Sequence, residues 1–426
     1  MKKIVLLMFS LVIVVSAQTE LSLSKAIETG LENNYQIKII KKYEEIADEN
    51  NTWGRAGRYP SLNLGFSSTN RYDDNSAGET ETYRLTPSAS LNWVLFDGFA
   101  IFHQKSKFEE LYTKSKGNTA IVIENTIQAI ILAYYNVLLE SERLGIFEEV
   151  LSLSKDRYDR TLTAKELGSS VTYDVLQAKT AWLEDRSNYL SQKMLFNNSV
   201  RSLNLLMGEP ENNTYILMDK LNIPKSEYAL DELKSKMLEN NKTLKNQYLN
   251  EILQKREIDI SRSDLYPSVS LSAGYDDVTT RSKVNSSPTV KSSSYDYYAN
   301  LSLSFNLFNG SNTSTNIEIA KIQQDISKIE TDEMKHSLSN RLSQYLELFD
   351  VQKTLLEVSN ENVEAAKLNL QISKEKFEAG NINSFNYRDI QLFYLNAALQ
   401  KLLSQFNLIN TDTELLRLTG GIVTEK

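Results

Sequence analysis

The chain has no cysteine and only six prolines in 426 residues. That removes any disulfide framework, thiolate metal site or lipid-bearing cysteine. The prolines stand at 60, 87, 210, 224, 267 and 288, so 99–209 and 289–426 contain none, and 311–379 lack glycine as well. A run of that length without either breaker reads as very long helix. At ~1.5 Å per residue such a helix approaches ~100 Å, too long for an ordinary globular domain. Histidine is equally scarce: His103 and His336 each stand alone in a helical pattern. With no metal-ligand cluster, nucleophile elbow or phosphate-cradling glycine loop, the expectation is a non-enzyme with no cofactor and no metal. Gly54 with Gly57 precedes a strand rather than following one, so it is no nucleotide site. The net charge is −8, and this acidity argues against nucleic acid as a partner.

Long hydrophobic runs are also few. Lys2-Lys3, an apolar stretch from Ile4 to Val15 and the small residues Ser16-Ala17 form a secretory signal over 1–17. No later stretch reads as apolar enough to cross a membrane as a helix, so any membrane passage would be through strands.

What is present is present twice. Leu31-Glu32-Asn33-Asn34 recurs as Leu238-Glu239-Asn240-Asn241, and Tyr59-Pro60 as Tyr266-Pro267, both offset by 207 positions. Leu95-Phe96-Asp97-Gly98 recurs as Leu307-Phe308-Asn309-Gly310, Gly168 as Gly380 and Gly208 as Gly420, all offset by 212. Five landmarks in one order define a tandem duplication. The first repeat is 18–208 and the second 232–426, joined by an irregular connector over 209–231. The drift in offset predicts a longer loop in the second copy, between its Tyr-Pro and Leu-Phe landmarks.

Each copy reads alike. Leu21 to Arg58 has helical spacing through Leu23, Ile27 and Leu31, and Pro60 stops it. A hairpin over 61–96 follows, in which Leu62, Leu64 and Phe66, then Tyr83 through Leu91, Trp93 and Leu95, alternate with polar residues across a polar loop from Arg71 to Thr82. The second copy places its hairpin over 268–308, with Val269 to Tyr275 and Tyr295 to Leu307 in the same alternation. One face is apolar with aromatic ends and the other is rich in Ser and Asn, a pattern that fits a transmembrane barrel strand. Gly98 and Gly310, like Pro60 and Pro267, mark strand–helix junctions. Long helices run from Phe99 to about Leu167 and from Ser311 to Ala379, turn at Gly168 and Gly380, and return to Gly208 and Gly420. Along the first returning helix, Asp185, Gln192 and Ser199 are polar members of a heptad pattern. The fold class is thus mixed and mostly α, with antiparallel coiled-coil hairpins and four transmembrane strands per chain. Four strands close no barrel, so several copies must share one.

The two Tyr-Pro pairs, the Leu-Phe-Asp/Asn-Gly pairs, the Gly168 and Gly380 turns with Thr172-Tyr173-Asp174 and Ser384-Phe385-Asn386 after them, and the glycines closing each half give the chain its resemblance to the TolC family of outer-membrane efflux proteins. The ordered set covers nearly the whole chain. The resemblance implies a homotrimer with a shared twelve-stranded barrel among outer-membrane lipid and a periplasmic helical barrel gated at its lower end. It further implies a periplasmic adaptor (a membrane fusion protein) and an inner-membrane transporter, in an efflux or type I secretion system. The family's acidic entrance positions fall on Asn386 and Asp389, with Asp174 corresponding to the first of them in the other half. Asn386 departs from the acidic pattern. The family's basic residue two after the second glycine is replaced by Ile382, and Arg388 is its candidate substitute. Adaptor contact is expected at the tips, at Leu167, Gly168, Ser169, Thr172, Gly380 and Ser384. The competing reading is an exported coiled-coil structural or adhesive surface protein, which has no need of two hairpins that each keep a lipid-compatible face.

Overall fold

The computed structural model describes residues 19–76, 78–221, 223 and 226–422. The proposed signal over 1–17 lies outside them. In chain order the elements are β1 (Thr19–Leu21), α1 (Leu23–Asn33), α2 (Tyr35–Asn50), β2 (Ser61–Asn75), β3 (Gly78–Asp97), α3 (Ala100–Glu166) and α4 (Thr172–Met207). There follow β4 (Tyr215–Leu217), α5 (Leu230–Asn240), α6 (Lys242–Ser263), β5 (Ser268–Val284), β6 (Val290–Ser304), α7 (Asn312–Glu378) and α8 (Ser384–Leu418). The run α-α-β-β-α-α thus occurs twice, and α3 and α7 each have 67 residues. The described residues form two compact units, one within 1–38, 122–241 and 338–426, the other within 39–121 and 242–337.

The second unit holds one antiparallel sheet in the order β2-β3-β5-β6. Residues paired across strands share a face, so the register decides whether the apolar positions form one surface. They do: Leu62 pairs Leu91, Leu64 pairs Ala89, Trp93 pairs Leu271, Leu271 pairs Leu301 and Tyr275 pairs Tyr297. Leu64, Tyr297 and Leu301 stand 84%, 79% and 69% exposed.

Three details differ from the sequence reading. The polar segment Arg71 to Thr82 is mostly strand, because β2 runs to Asn75 and β3 resumes at Gly78. Polarity on both faces ends an apolar band but leaves backbone pairing intact. Leu95 does not continue the apolar alternation: a bulge between Val94 and Phe96 turns Phe96 toward Val269. And β6 stops at Ser304, leaving Phe305 and Leu307 outside the ladder. The longer second loop is present, between Val284 and Val290, where Asn285 accepts from the Glu79 amide at 2.8 Å.

Beside the sheet, α2 bonds α3 through Glu44 and Thr119 at 2.7 Å. The α3–α6 contact is Asn118 with Asn246 at 2.5 Å, and the α6–α7 contact is Gln247 with the Ser327 carbonyl at 3.4 Å. Both outer helices carry uncovered apolar stripes: Ile39, Tyr43 and Ile46 on α2, and Ile319, Ile322, Ile326 and Ile329 on α7. The 3-4-3 spacing on α7 is that of a coiled-coil seam.

The first unit is helical apart from the short parallel pair β1–β4, which adds two strands to the four expected. Its main core packs Ala26, Ile27, Ile130, Tyr134, Leu203 and Met207. The expectation of no later membrane-compatible helix needs correction, since α3 holds a stretch apolar enough by length and composition. In this fold Ile127, Ile130, Tyr134 and Val137 belong to that core, which accounts for much of its apolar character.

Leu21 to Arg58 is also not one helix. Asn34 (φ −57°, ψ 129°) interrupts it, its side chain accepting from the Gln36 and Ile37 amides at 2.8 and 3.2 Å. The same side chain donates to the Leu206 carbonyl at 2.7 Å, and in the second copy Asn241 donates to Leu418 at 3.0 Å. Two landmarks far apart in each repeat therefore meet: the Asn-Asn pair and the closing glycine. A Cβ on Gly208 (φ +71°) would lie 2.5 Å from the Asn33 carbonyl oxygen, and one on Gly420 (φ +72°) 2.9 Å from that of Asn240.

Candidate functional site

Both long helices end in the same turn. The Gly168 amide bonds Lys165 O and the Ser169 amide bonds Ala164 O, at 2.9 and 2.8 Å. The Gly380 amide bonds Phe377 O and the Asn381 amide bonds Lys376 O, at 3.1 and 2.8 Å. These paired bonds form a Schellman cap around a left-handed residue, which explains a glycine at each tip (φ +80° and +74°). Nothing crowds either glycine, so conformation alone selects it. The returning helices begin differently. At α8, Asn383 caps the Asn386 amide at 2.8 Å, whereas Val171 before α4 offers no side-chain cap.

Between the tips lies a groove of about 1020 Å³, lined among others by Leu167, Ser169, Asp174, Gly380, Ser384 and Phe385. Of the sequence-derived tip residues, only Gly168 and Thr172 are outside its lining. Asp174 accepts from the Ser170 hydroxyl at 3.2 Å. Arg160 bridges Asp156 at 2.9 Å and Glu378 at 3.1 Å, joining α3 to α7 beside the groove. A smaller groove of about 500 Å³ is lined by Asp389 and Arg388 together with Arg157, Glu184 and Leu392. Asn386 is exposed and lines neither.

Arg388 and Asp389 are adjacent in sequence but have opposite environments. Asp389 is exposed. Arg388 is buried and grips Asp185 with two bonds of 2.6 and 2.8 Å, tying α8 to α4. Asp185 and Arg157, each 2% exposed, are the residues that sequence reasoning did not connect to this site. Asp185 was visible as a polar heptad position, but its partner lies 203 residues away. Arg157 donates to the Ser384 carbonyl at 3.1 Å. Burial, with Arg388 next to it, pushes its guanidinium down to about 10, while Asp185 pulls the other way. Tyr387, buried and stacked on Phe377 at 4.9 Å, has its hydroxyl pKa raised by burial. The tip thus contains two buried guanidiniums and one buried carboxylate.

The strand–helix junctions are asymmetric. Gly98 (φ +67°) sits so close to the Ser263 carbonyl that a Cβ would collide with it, and Asp97 accepts from the Ile101 amide at 2.9 Å to start α3. Gly310 has the same left-handed conformation in open space. Pro60 and Pro267 precede β2 and β5 directly.

Residues 26–209 and 233–421 match the sequence model of a family described as outer membrane efflux protein, and the chain belongs to that family. No curated protein matches the chain. Among solved structures, CusC is similar at 16% identity over 94% of this chain and 92% of its own, with a TM-score of 0.74. The outer membrane channel CmeC of Campylobacter jejuni is similar at 15% identity over 94% and 85%, TM-score 0.74. The open-state outer membrane channel MtrE of Neisseria gonorrhoeae is similar at 16% over 94% and 89%, TM-score 0.70. At these identities the likeness is one of fold, and the fold is that of outer membrane efflux channels.

Proposed function

We propose that this chain is one third of a passive outer-membrane conduit, serving an efflux or type I secretion system and gated at its helical tips. The carrying observation is a four-stranded sheet with one continuous apolar face, exposed along β2 and β6 and half-buried at Leu91 and Leu271 between them, and two unpaired edges, β2 and β6. Such a sheet is unsuited to lipid alone. Antiparallel order lets β6 of one copy pair β2 of the next, and three copies give a closed twelve-stranded barrel. The apolar stripes of α2 and α7 support the same head-to-tail arrangement, because each outer helix then gains a seam partner from a neighbouring chain. In this reading the repeats 18–208 and 232–426, joined by 209–231, supply equivalent parts of the wall, and the residues before 18 direct export. The helical hairpins stand in the periplasm. Their tips, at Leu167 to Thr172 and Ala379 to Ser384, receive a periplasmic adaptor that connects to an inner-membrane transporter. The wide groove between the tips supports that assignment.

Asp389 is the gate residue of this reading, placing three carboxylates about the axis, while Arg388–Asp185 pins α8 to α4 within each chain. Asp174 and Asn386 flank the entrance. The deciding experiment is the native mass of the protein extracted from membranes in mild detergent: three chains are expected, and a stable monomer would overturn the conduit. In planar bilayers, Asp389→Asn should lower cation selectivity and divalent-ion block. Unchanged single-channel behaviour would remove Asp389 from the gate.

A further inference from the structure

We propose that the foot of β2 carries a binding site for the headgroup of an anionic phospholipid, built around Arg58. The proposal rests on the reading of the sheet as membrane-spanning. Arg58 is exposed and makes no ion pair among the described residues. It is nevertheless held in place: its guanidinium carbon lies 4.9 Å from the centre of the Trp53 ring and 5.5 Å from that of Phe102. Those rings meet edge to face at 5.6 Å, and the Trp93 indole donates to the Arg58 carbonyl at 2.9 Å. Trp93 pairs Leu271 and so belongs to the apolar face of the sheet. That bond places the Arg58 backbone at the end of the surface assigned to lipid. Tyr59, Phe99 and Phe102 are exposed around it, the residue types that settle at headgroup level.

Three charged residues of the adjoining segments have hydrogen-bond partners other than Arg58. Lys105 is taken by Glu109 at 2.6 Å and Asn51 at 2.8 Å. Asp97 accepts from the Ile101 amide, and Arg55 bonds the neutral Asn50 at 3.0 Å. Arg58 is therefore a pre-positioned cation with its donors available. A planar, weakly hydrated guanidinium stacked on rings matches a phosphate diester, whose oxygens it can bind two at a time.

The duplication provides an internal comparison. The second copy keeps Tyr266-Pro267 but has Leu265 at the place of Arg58, Ile260 at that of Trp53, Ser314 at that of Phe102 and Ile317 at that of Lys105. The Tyr-Pro landmark is needed by both copies; the arginine and its two rings belong to one. Turn geometry alone does not require them, and the site occurs once per chain.

The test uses full-length protein inserted into vesicles of phosphatidylcholine with one tenth phosphatidylglycerol, extracted gently and weighed by native mass spectrometry. Retention of phosphatidylglycerol over phosphatidylcholine is expected. Arg58→Gln should reduce that preference about five-fold, and Arg58→Lys should restore only part of it. Leu265→Arg added to Arg58→Gln should restore none, because the second copy lacks the rings. Equal retention by wild type and Arg58→Gln would overturn the site. So would rescue by Leu265→Arg, which would make any surface charge sufficient, and displacement of the lipid by millimolar inorganic phosphate. A protein that fails to enter vesicles at all would sink the membrane reading itself. Insertion without lipid preference would sink this site alone.

Discussion

Asp185 neutralises one of two buried arginines, and that imbalance decides what substitutions at the tip do. Removing one member of a buried ion pair strands the other charge, at about 3–5 kcal/mol. Asp185→Ala strands two, Arg388 and Arg157, so it is expected to lower the melting temperature of the detergent-solubilised protein sharply. Arg157→Met removes a cation already disfavoured by burial and by Arg388, so melting should hold or rise. A marked fall with Arg157→Met would show that its bond to the Ser384 carbonyl outweighs its burial. The individual residues here were only partly legible in the sequence. Heptad spacing marked Asp185, Gln192 and Ser199 as unusual, and all three are buried. Spacing carries no information about a partner on another helix, so the bond between Arg388 and Asp185 was not legible.

Each half is closed by an asparagine, and the one in the first half does three jobs. Asn34 separates α1 from α2, caps α2 and bonds the last turn of α4. Asn34→Ala should cost the capping contribution, about 1–2 kcal/mol, and leave the Leu206 carbonyl short of a donor. Gly208→Ala should cost more, because it imposes a left-handed conformation on alanine and presses its Cβ on the Asn33 carbonyl. Thermal melting of both variants checks the order, and a milder effect for Gly208→Ala would refute the packing argument. The repeated Leu-Glu-Asn-Asn and the glycine about 175 residues later were visible as landmarks. That they touch was not, because hydrophobic periodicity runs smoothly through Asn34 and gives no sign of a break. The long helices were readable almost to the residue, since both lack proline, α7 lacks glycine as well, and the junction and tip glycines mark where each begins and ends. The strands were located by their alternation, yet their polar extensions and the bulge at Leu95 depend on pairing with a neighbour that the local pattern does not identify.

For the whole molecule, the uncovered isoleucines of α7 are the accessible test of assembly. Ile322→Glu with Ile326→Glu places carboxylates in the proposed seam without touching the core of the lone chain. The trimer fraction in native mass should fall while helix content by circular dichroism persists; an unchanged trimer would move the seam elsewhere. The two free edges of the sheet have a consequence of another kind, one of timing. Both edge strands, fifteen residues each, present unpaired backbone groups that invite pairing with any extended chain. A newly made subunit is therefore most vulnerable before it meets its fellows. Its residence time alone, rather than its final stability, sets how much is lost to misassembly, and conditions that dilute the subunits or slow their encounter should deplete the finished assembly out of proportion to synthesis.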